Sequence, residues 1–322
     1  MSRWMRSILL LFASSFPAGV LWAQGSSPID TIALPFRAVT INDGLSQGMV
    51  QCIAQDPQGF LWFGTKDGLN RYDGYRFTVY RHDPTDTNSV RESNVTSLTV
   101  DRHGRLWVGT STGVDLFDRA TEHFQHLAIA HPDGDWGSVA HVRLDINGDL
   151  WAATQERLVK VTFATPVEEG HPLPRFTLRW LHQGFSTVTS TRDGALWGAS
   201  GRFAFHIIPR HDGTDRIDTL ATSEPGHPIL DISGLTVVED SLRGKVYGIT
   251  YNAILEFSAD RKSWTALYTL EERAPLLQSH GAVVGPEGQL WVPTFIGLFR
   301  FQPATRHMEL VRSTDPSLEH ML

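Results

Sequence analysis

Short runs in which apolar and polar residues alternate, each closed by a turn built on Gly, Asp or Pro, recur along the chain. The clearest copy runs from Ile53 to Tyr72. It holds the turn Asp56-Pro57-Gln58-Gly59, then Leu61-Trp62-Phe63-Gly64-Thr65, then Gly68-Leu69 and an alternating stretch to Tyr72. A period of two predicts two strands joined by a tight turn and followed by a third, which together make one small antiparallel sheet. Alignment on tryptophan shows that this unit repeats. Trp62, Trp107, Trp151 and Trp197 are 45, 44 and 46 residues apart, Tyr247 takes the fifth place after 50, and Trp291 the sixth after 44.

The turn before each aromatic returns with it, as Asp101-Arg102-His103-Gly104, Asp145-Ile146-Asn147-Gly148, Thr191-Arg192-Asp193-Gly194, Ser241-Leu242-Arg243-Gly244 and Gly285-Pro286-Glu287-Gly288. Its last residue is Gly each time, which reaches positive φ without steric cost, and an Asp in first place can bond the backbone of its own turn. A small or hydroxylated pair follows the aromatic, from Gly64-Thr65 to Pro293-Thr294. A fourth alternating piece, such as Phe77-Thr78-Val79-Tyr80, closes the unit. Four strands in about 45 residues is the period of a propeller blade. The pattern therefore predicts an all-β chain, a β-propeller of four-stranded blades with six recognisable repeats. The five repeated indoles then have a structural role, each filling the wedge between neighbouring sheets and burying about 150 to 250 Å².

Composition agrees with this, since ten Trp and 28 Gly beside five Met and one Cys suit many short strands and turns. The first residues read as an address. Arg3 and Arg6 precede an apolar run, and Leu21-Trp22-Ala23 offers small residues for cleavage, so residues 1–23 are expected to be a secretory signal peptide cut after Ala23. The run Ile8 to Ala23 is 16 residues long and contains Pro17, short of the roughly 20 needed to cross a bilayer. A periplasmic location follows as an expectation, with residues 24–35 as a linker and 36–322 as the propeller. Loss of Arg3 and Arg6, with no acid among residues 1–23, moves the formal charge from -7 to -9. Phosphate binding needs a basic patch, so nucleic acid is excluded as a partner. Cys52 has no second cysteine to pair with and reads as buried packing.

The ends carry further expectations. Residues 36–41, Phe36 to Ile41, read as an outer strand that closes the ring by completing the last blade, because closure removes an exposed edge. Met308 to Arg312 reads as the sixth outer strand. Asp315-Pro316-Ser317-Leu318 then parallels Asp83-Pro84 to Ser89-Val90, where another inner strand would begin. The expectation is a chain truncated at its C-terminus, either six blades closed by residues 36–41 or an incomplete seven-bladed ring.

The run Asp-x-x-Gly-x-Leu-Trp-x-Gly-Thr in the first two units, with Gly68-Leu69-Asn70-Arg71-Tyr72-Asp73-Gly74, resembles the two-component regulator propeller repeats of periplasmic sensor regions in bacterial signalling proteins. The resemblance spans about residue 36 to the C-terminus. It weakens at Gln155-Glu156-Arg157 and Gly201-Arg202-Phe203, which lose the Gly-Leu pair, and at Tyr247, which replaces Trp. It implies a sensor propeller without catalytic activity of its own. In a full-length relative, further blades, a membrane helix and a histidine kinase or diguanylate cyclase would follow.

Catalytic and metal motifs are not legible. There is no His-Glu-x-x-His, no Cys/His zinc spacing, no Gly-x-Ser-x-Gly and no phosphate loop, so no cofactor and no metal are expected. Propellers bind at the mouth of the central channel, where loops that enter the inner strands converge on a rigid concave scaffold. By register those loops carry Gln47, Asn94, His141, Asp231 and His280, and the links between second and third strands carry Lys66, Glu156, Arg202, Tyr251 and Phe295. These ten residues are the candidate ligand-binding set, with a small molecule or oligosaccharide as the ligand. Two alternatives stand beside that reading. One is a propeller enzyme similar to streptogramin lyases and lactonases, for which His141, His280 and Glu156 are the set to test; the other is a scaffold that binds another protein across the same face.

Overall fold

In blades 1 to 3 the turn after the inner strand organises the aromatic that follows it. In the first, the Asp56 carboxylate accepts hydrogen bonds from the backbone N–H groups of Gln58 and Phe60 at 3.0 and 3.1 Å, and from Trp62 Nε1 at 2.9 Å. Asp101 and Asp145 hold Trp107 and Trp151 in the same way, at 3.2 and 2.9 Å. The carboxylate thus satisfies the turn backbone and the indole together, which lets a large ring sit fully buried without an orphaned N–H. The glycine that ends the turn is left-handed, with φ of 92° at Gly59 and 81° at Gly104.

A computed structural model describes residues 30–127, 137–154, 157–168, 170–183, 187–200, 203–210, 214–221, 235–260, 263–269, 281–294 and 297–315. They form a β-propeller of six four-stranded antiparallel blades, with almost no helix. Blade 1 comprises Val50–Gln55, Leu61–Thr65, Gly68–Tyr72 and Phe77–Tyr80, in that order from the inner edge outward. Blades 2 to 6 repeat this order, with inner strands Val95–Val100, Val139–Leu144, Thr187–Ser190, Thr236–Asp240 and Val283–Val284. The hydroxyl after the aromatic pair also has a fixed use. Thr65, Thr110, Thr154, Thr250 and Thr294 each donate to the backbone carbonyl that starts the third strand or ends the preceding link.

The N-terminus corrects one expectation. The strand that joins blade 6 is Asp30–Leu34, within the stretch read as linker, and residues 36–41 do not form it. It pairs in parallel outside His307–Ser313, so blade 6 has its own complete set of four strands and gains a fifth. Two local features explain the shift. His307–Ser313 already occupies the fourth place, and Thr40 with Asp43 forms a capping box that turns Ile41–Asp43 into a 3-10 helix, ending in Gly44 at φ 104°.

Apolar clusters fill the seams between blades 1 and 2, 2 and 3, 3 and 4, 4 and 5, and 5 and 6. Trp62, Trp107, Trp151, Trp197 and Tyr247 point into these five seams and are all buried. The seam between blades 6 and 1 differs. Ile53, which faces it from blade 1, is 60% exposed, whereas its counterparts Leu98, Val142, Val188 and Val237 are at most 6% exposed. Trp291, which faces it from blade 6, is only half-buried. Of the five repeated tryptophans, four therefore fill wedges and Trp291 does not, because no cluster of described residues packs against it.

Candidate functional site

Inner strands of blades 1, 2, 3 and 6, with the second strand of blade 6, line a cavity of about 740 Å³ at the loose seam. Gln51, Cys52, His141, Arg143, Trp291 and Thr294 are among its lining residues. They come from blades 1, 3 and 6, with Thr96 and Ser97 added from blade 2. The volume lies within the range of small-molecule sites, which are concave, largely apolar and edged by a few placed polar groups.

Arg143 is the most unusual of them. In register with the repeated aromatic its place is held by Ala54, Thr99, Thr189, Val238 and Val283 in the other blades. Only blade 3 puts a charge there, opposite Trp151. The guanidinium donates from Nη1 to the carbonyl of its neighbour Val142 at 2.7 Å and forms no ion pair among the described residues. Burial pushes its pKa down from the usual arginine value, since removing a cation from water disfavours the charged form. The nearby Cys52 thiol is pushed up to about 12 by the same cause, so it is a neutral packing group, in keeping with its reading from sequence.

The loops that enter the inner strands and the links between second and third strands share one face. Gly68 N–H donates to Ser93 O at 2.8 Å, Ser111 N–H to Asn94 O at 3.1 Å, and the Ser46 and Thr65 hydroxyls lie 2.9 Å apart. On this face the predicted residues scatter. His141 lines the cavity. Asn94 stands at its rim, where its Oδ1 accepts from Gln51 Nε2 at 2.7 Å. Gln47 turns its Oε1 back onto Met49 N–H at 2.9 Å, Lys66 is exposed in its turn, and Tyr251 is half-buried in another. Glu156, Arg202, Asp231, His280 and Phe295 lie outside the described residues, and so does the region read as a signal peptide. Loop register alone does not reach Gln51, Arg143 or Trp291. A charge at an inner-strand position where the other blades carry Ala, Thr or Val is the signal that would have found Arg143.

A second cavity of about 450 Å³ lies on the turn face, among Asp101, Arg102, Arg105, Asp145, Asp149 and Thr191. Its buried charges, Asp101, Arg105 and Asp145, are matched inside the fold. Arg105 pairs with Asp101 at 2.6 Å, and the buried Lys160 lies 3.0 Å from Asp149 and 2.9 Å from Asp215. Ion pairs that satisfy one another inside the fold leave little for a ligand to neutralise, so the channel is the stronger site. Among the described residues there is no group of three or more His, Cys, Asp or Glu that could hold a metal ion, and no helix long and apolar enough to cross a membrane.

Fold and site together define a six-bladed propeller with a mixed apolar and polar cavity lined by blades 1, 2, 3 and 6. The model of the two component regulator propeller family matches residues 44–67 and 89–112, the turns and inner hairpins of blades 1 and 2. A histidine kinase P4 of Formosa agariphila is 46% identical over 76 residues, which cover 24% of this chain and 5% of that protein. Among solved structures, the extracellular domain assigned to the hybrid two component system BT3049 of B. thetaiotaomicron superposes with a TM-score of 0.63 at 20% identity, covering 87% of this chain and 37% of that one. A streptogramin B lyase superposes with a TM-score of 0.61 at 14% identity, over 84% and 85%. At these identities the superpositions show the fold alone. The chain spans about a third of the extracellular sensor domains it superposes on and a small part of the kinase it matches.

Proposed function

We propose that this chain is the exported, ligand-binding input propeller of a bacterial signal-transduction protein and has no catalytic activity of its own. The observation that carries the reading is the axial cavity. It is lined by residues that depart from the repeat, Gln51, His141 and Arg143, while the repeat itself is taken up by blade construction. In a sensor, a ligand bound there biases the propeller between two arrangements relative to downstream domains, which requires unequal affinity for the two. Residues 1–23 serve as the signal peptide in this reading, and the seam between blades 6 and 1 supports a longer parent protein in which a further sheet covers Ile53 and Trp291.

A thermal-shift screen of the purified chain against oligosaccharides, peptides and small metabolites tests the reading. At least one class is expected to raise the melting temperature saturably, because a ligand that binds only the folded state stabilises it by RT ln(1 + [L]/Kd). A flat response across the panel would remove the ligand-binding role. Turnover of a panel compound would instead favour the enzyme reading.

A further inference from the structure

The geometry points to a carboxylate-binding site in the channel, with Arg143 as the partner of the anion and the half-buried Trp291 as the wall for the ring that carries it. This rests on the ligand-binding reading above and names the class of ligand.

A guanidinium withdrawn from water is costly unless it is paired and its donors are used. Arg143 uses Nη1 for a carbonyl, and among the described residues it has no carboxylate against it and no acidic residue lines the cavity. The other arginines that line or brace the blades contrast with it. Arg91 meets Asp115 at 3.3 Å, Arg105 meets Asp101 at 2.6 Å, and Arg300 meets Glu309 at 2.6 Å. Carboxylates hold Arg91, Arg105 and Arg300, whereas the channel arginine has none against it among the described residues, which places a cation where a ligand can reach it.

The class of anion follows from the surroundings. Arg143 is the one Arg or Lys among the described lining residues, which suits a monoanion better than a phosphate dianion. The planar fork of a guanidinium matches a carboxylate through two parallel hydrogen bonds. The remaining wall is mixed: the Trp291 indole, Pro293, Thr294 and Leu298 come from blade 6, and Gln51, Ser97 and His141 from blades 1, 2 and 3. An indole exposed in a cavity offers a stacking face, and the hydroxyl and amide groups offer partners for polar substituents. The occupant is therefore a ring that bears a carboxylate.

Calorimetric titration of the chain with D-glucuronate, benzoate, propionate, D-glucose and inorganic phosphate decides the matter. At least one of the two ring carboxylates is expected to bind saturably at one per chain, at least about tenfold more tightly than propionate, glucose or phosphate; which one binds tells a sugar acid from an aromatic acid. Arg143→Gln is expected to lose at least about tenfold in that affinity, and Arg143→Lys less, because it keeps the charge without the fork. Should Arg143→Gln lack a cooperative melting transition, Arg143→Lys and Trp291→Ala take its place, and unchanged affinity in both would overturn the assignment. Binding of glucose as tight as glucuronate would overturn the carboxylate class and leave the ligand-binding reading intact. Phosphate binding equal to the carboxylates would overturn it too, and binding by none of the five would defeat the proposal while the broader screen still judges the sensor reading.

Discussion

At the scale of the residue, the recurring unit is a carboxylate that organises an aromatic. Asp56, Asp101 and Asp145 each bond their turn backbone and the indole N–H of the tryptophan six residues on. Blade 4 breaks the device. Thr191 stands in the Asp place, its hydroxyl is engaged with Asp193 and the Ala195 carbonyl, and Trp197 Nε1 is buried without a hydrogen-bond partner. The ring is held instead by packing, on His206 at 4.5 Å and Phe257 at 4.4 Å between ring centres. Thr191→Asn, which supplies a neutral acceptor, is expected to raise stability by about 1 kcal/mol in chemical denaturation. An unchanged or lowered midpoint would mean that the indole N–H gains nothing from an acceptor. The spacing of Asp, Gly and Trp was legible in the sequence. That the Asp reaches the indole was not, since the bond depends on how the turn folds back over its own strand.

At the scale of the element, faces of equivalent strands behave differently because of what stands beside them. Ile53 and Leu98 hold the same place on inner strands, opposite Phe63 and Val108, yet Leu98 is buried against blade 1 and Ile53 is exposed at the seam. Leu98→Ser is expected to cost about 2 to 5 kcal/mol, as a large-to-small change in a packed core, while Ile53→Ser stays within about 0.5 kcal/mol. Equal losses in urea titrations would show that the seam between blades 6 and 1 is packed in solution. Sequence reading reached the strands of each blade through their alternation but misplaced the N-terminal one. Asp30–Leu34 gains its place by pairing with a strand far along the chain, and nothing local marks it. The stronger local signal, the outer-strand look of residues 36–41, was overridden by the capping box at Thr40 and by a blade that already had its fourth strand.

At the scale of the whole molecule, six similar blades pack against one another through five filled seams, and the proposed function rests on what the repeat does not require. The repeat was visible in sequence because every blade ends the same turn in glycine and carries an aromatic at one place. The channel was only partly visible: His141 was reached through loop register, whereas Gln51, Arg143 and Trp291 meet only when blades 1, 3 and 6 are brought around a common axis. The loose seam enlarges that cavity and exposes Ile53 and Val283 beside it, which ties the site to the packing of that seam. The claim on which the account turns is that the axial cavity is the ligand site. Amide hydrogen exchange, measured with and without a compound from the screen that stabilises the chain, tests it most directly. Ligand-dependent protection is predicted on Val50–Gln55, Val95–Val100 and Val139–Leu144 and on the loops that enter them. Protection centred instead on the opposite turns around Asp101 and Asp145, or spread evenly over the blades with none at the inner strands, would contradict it.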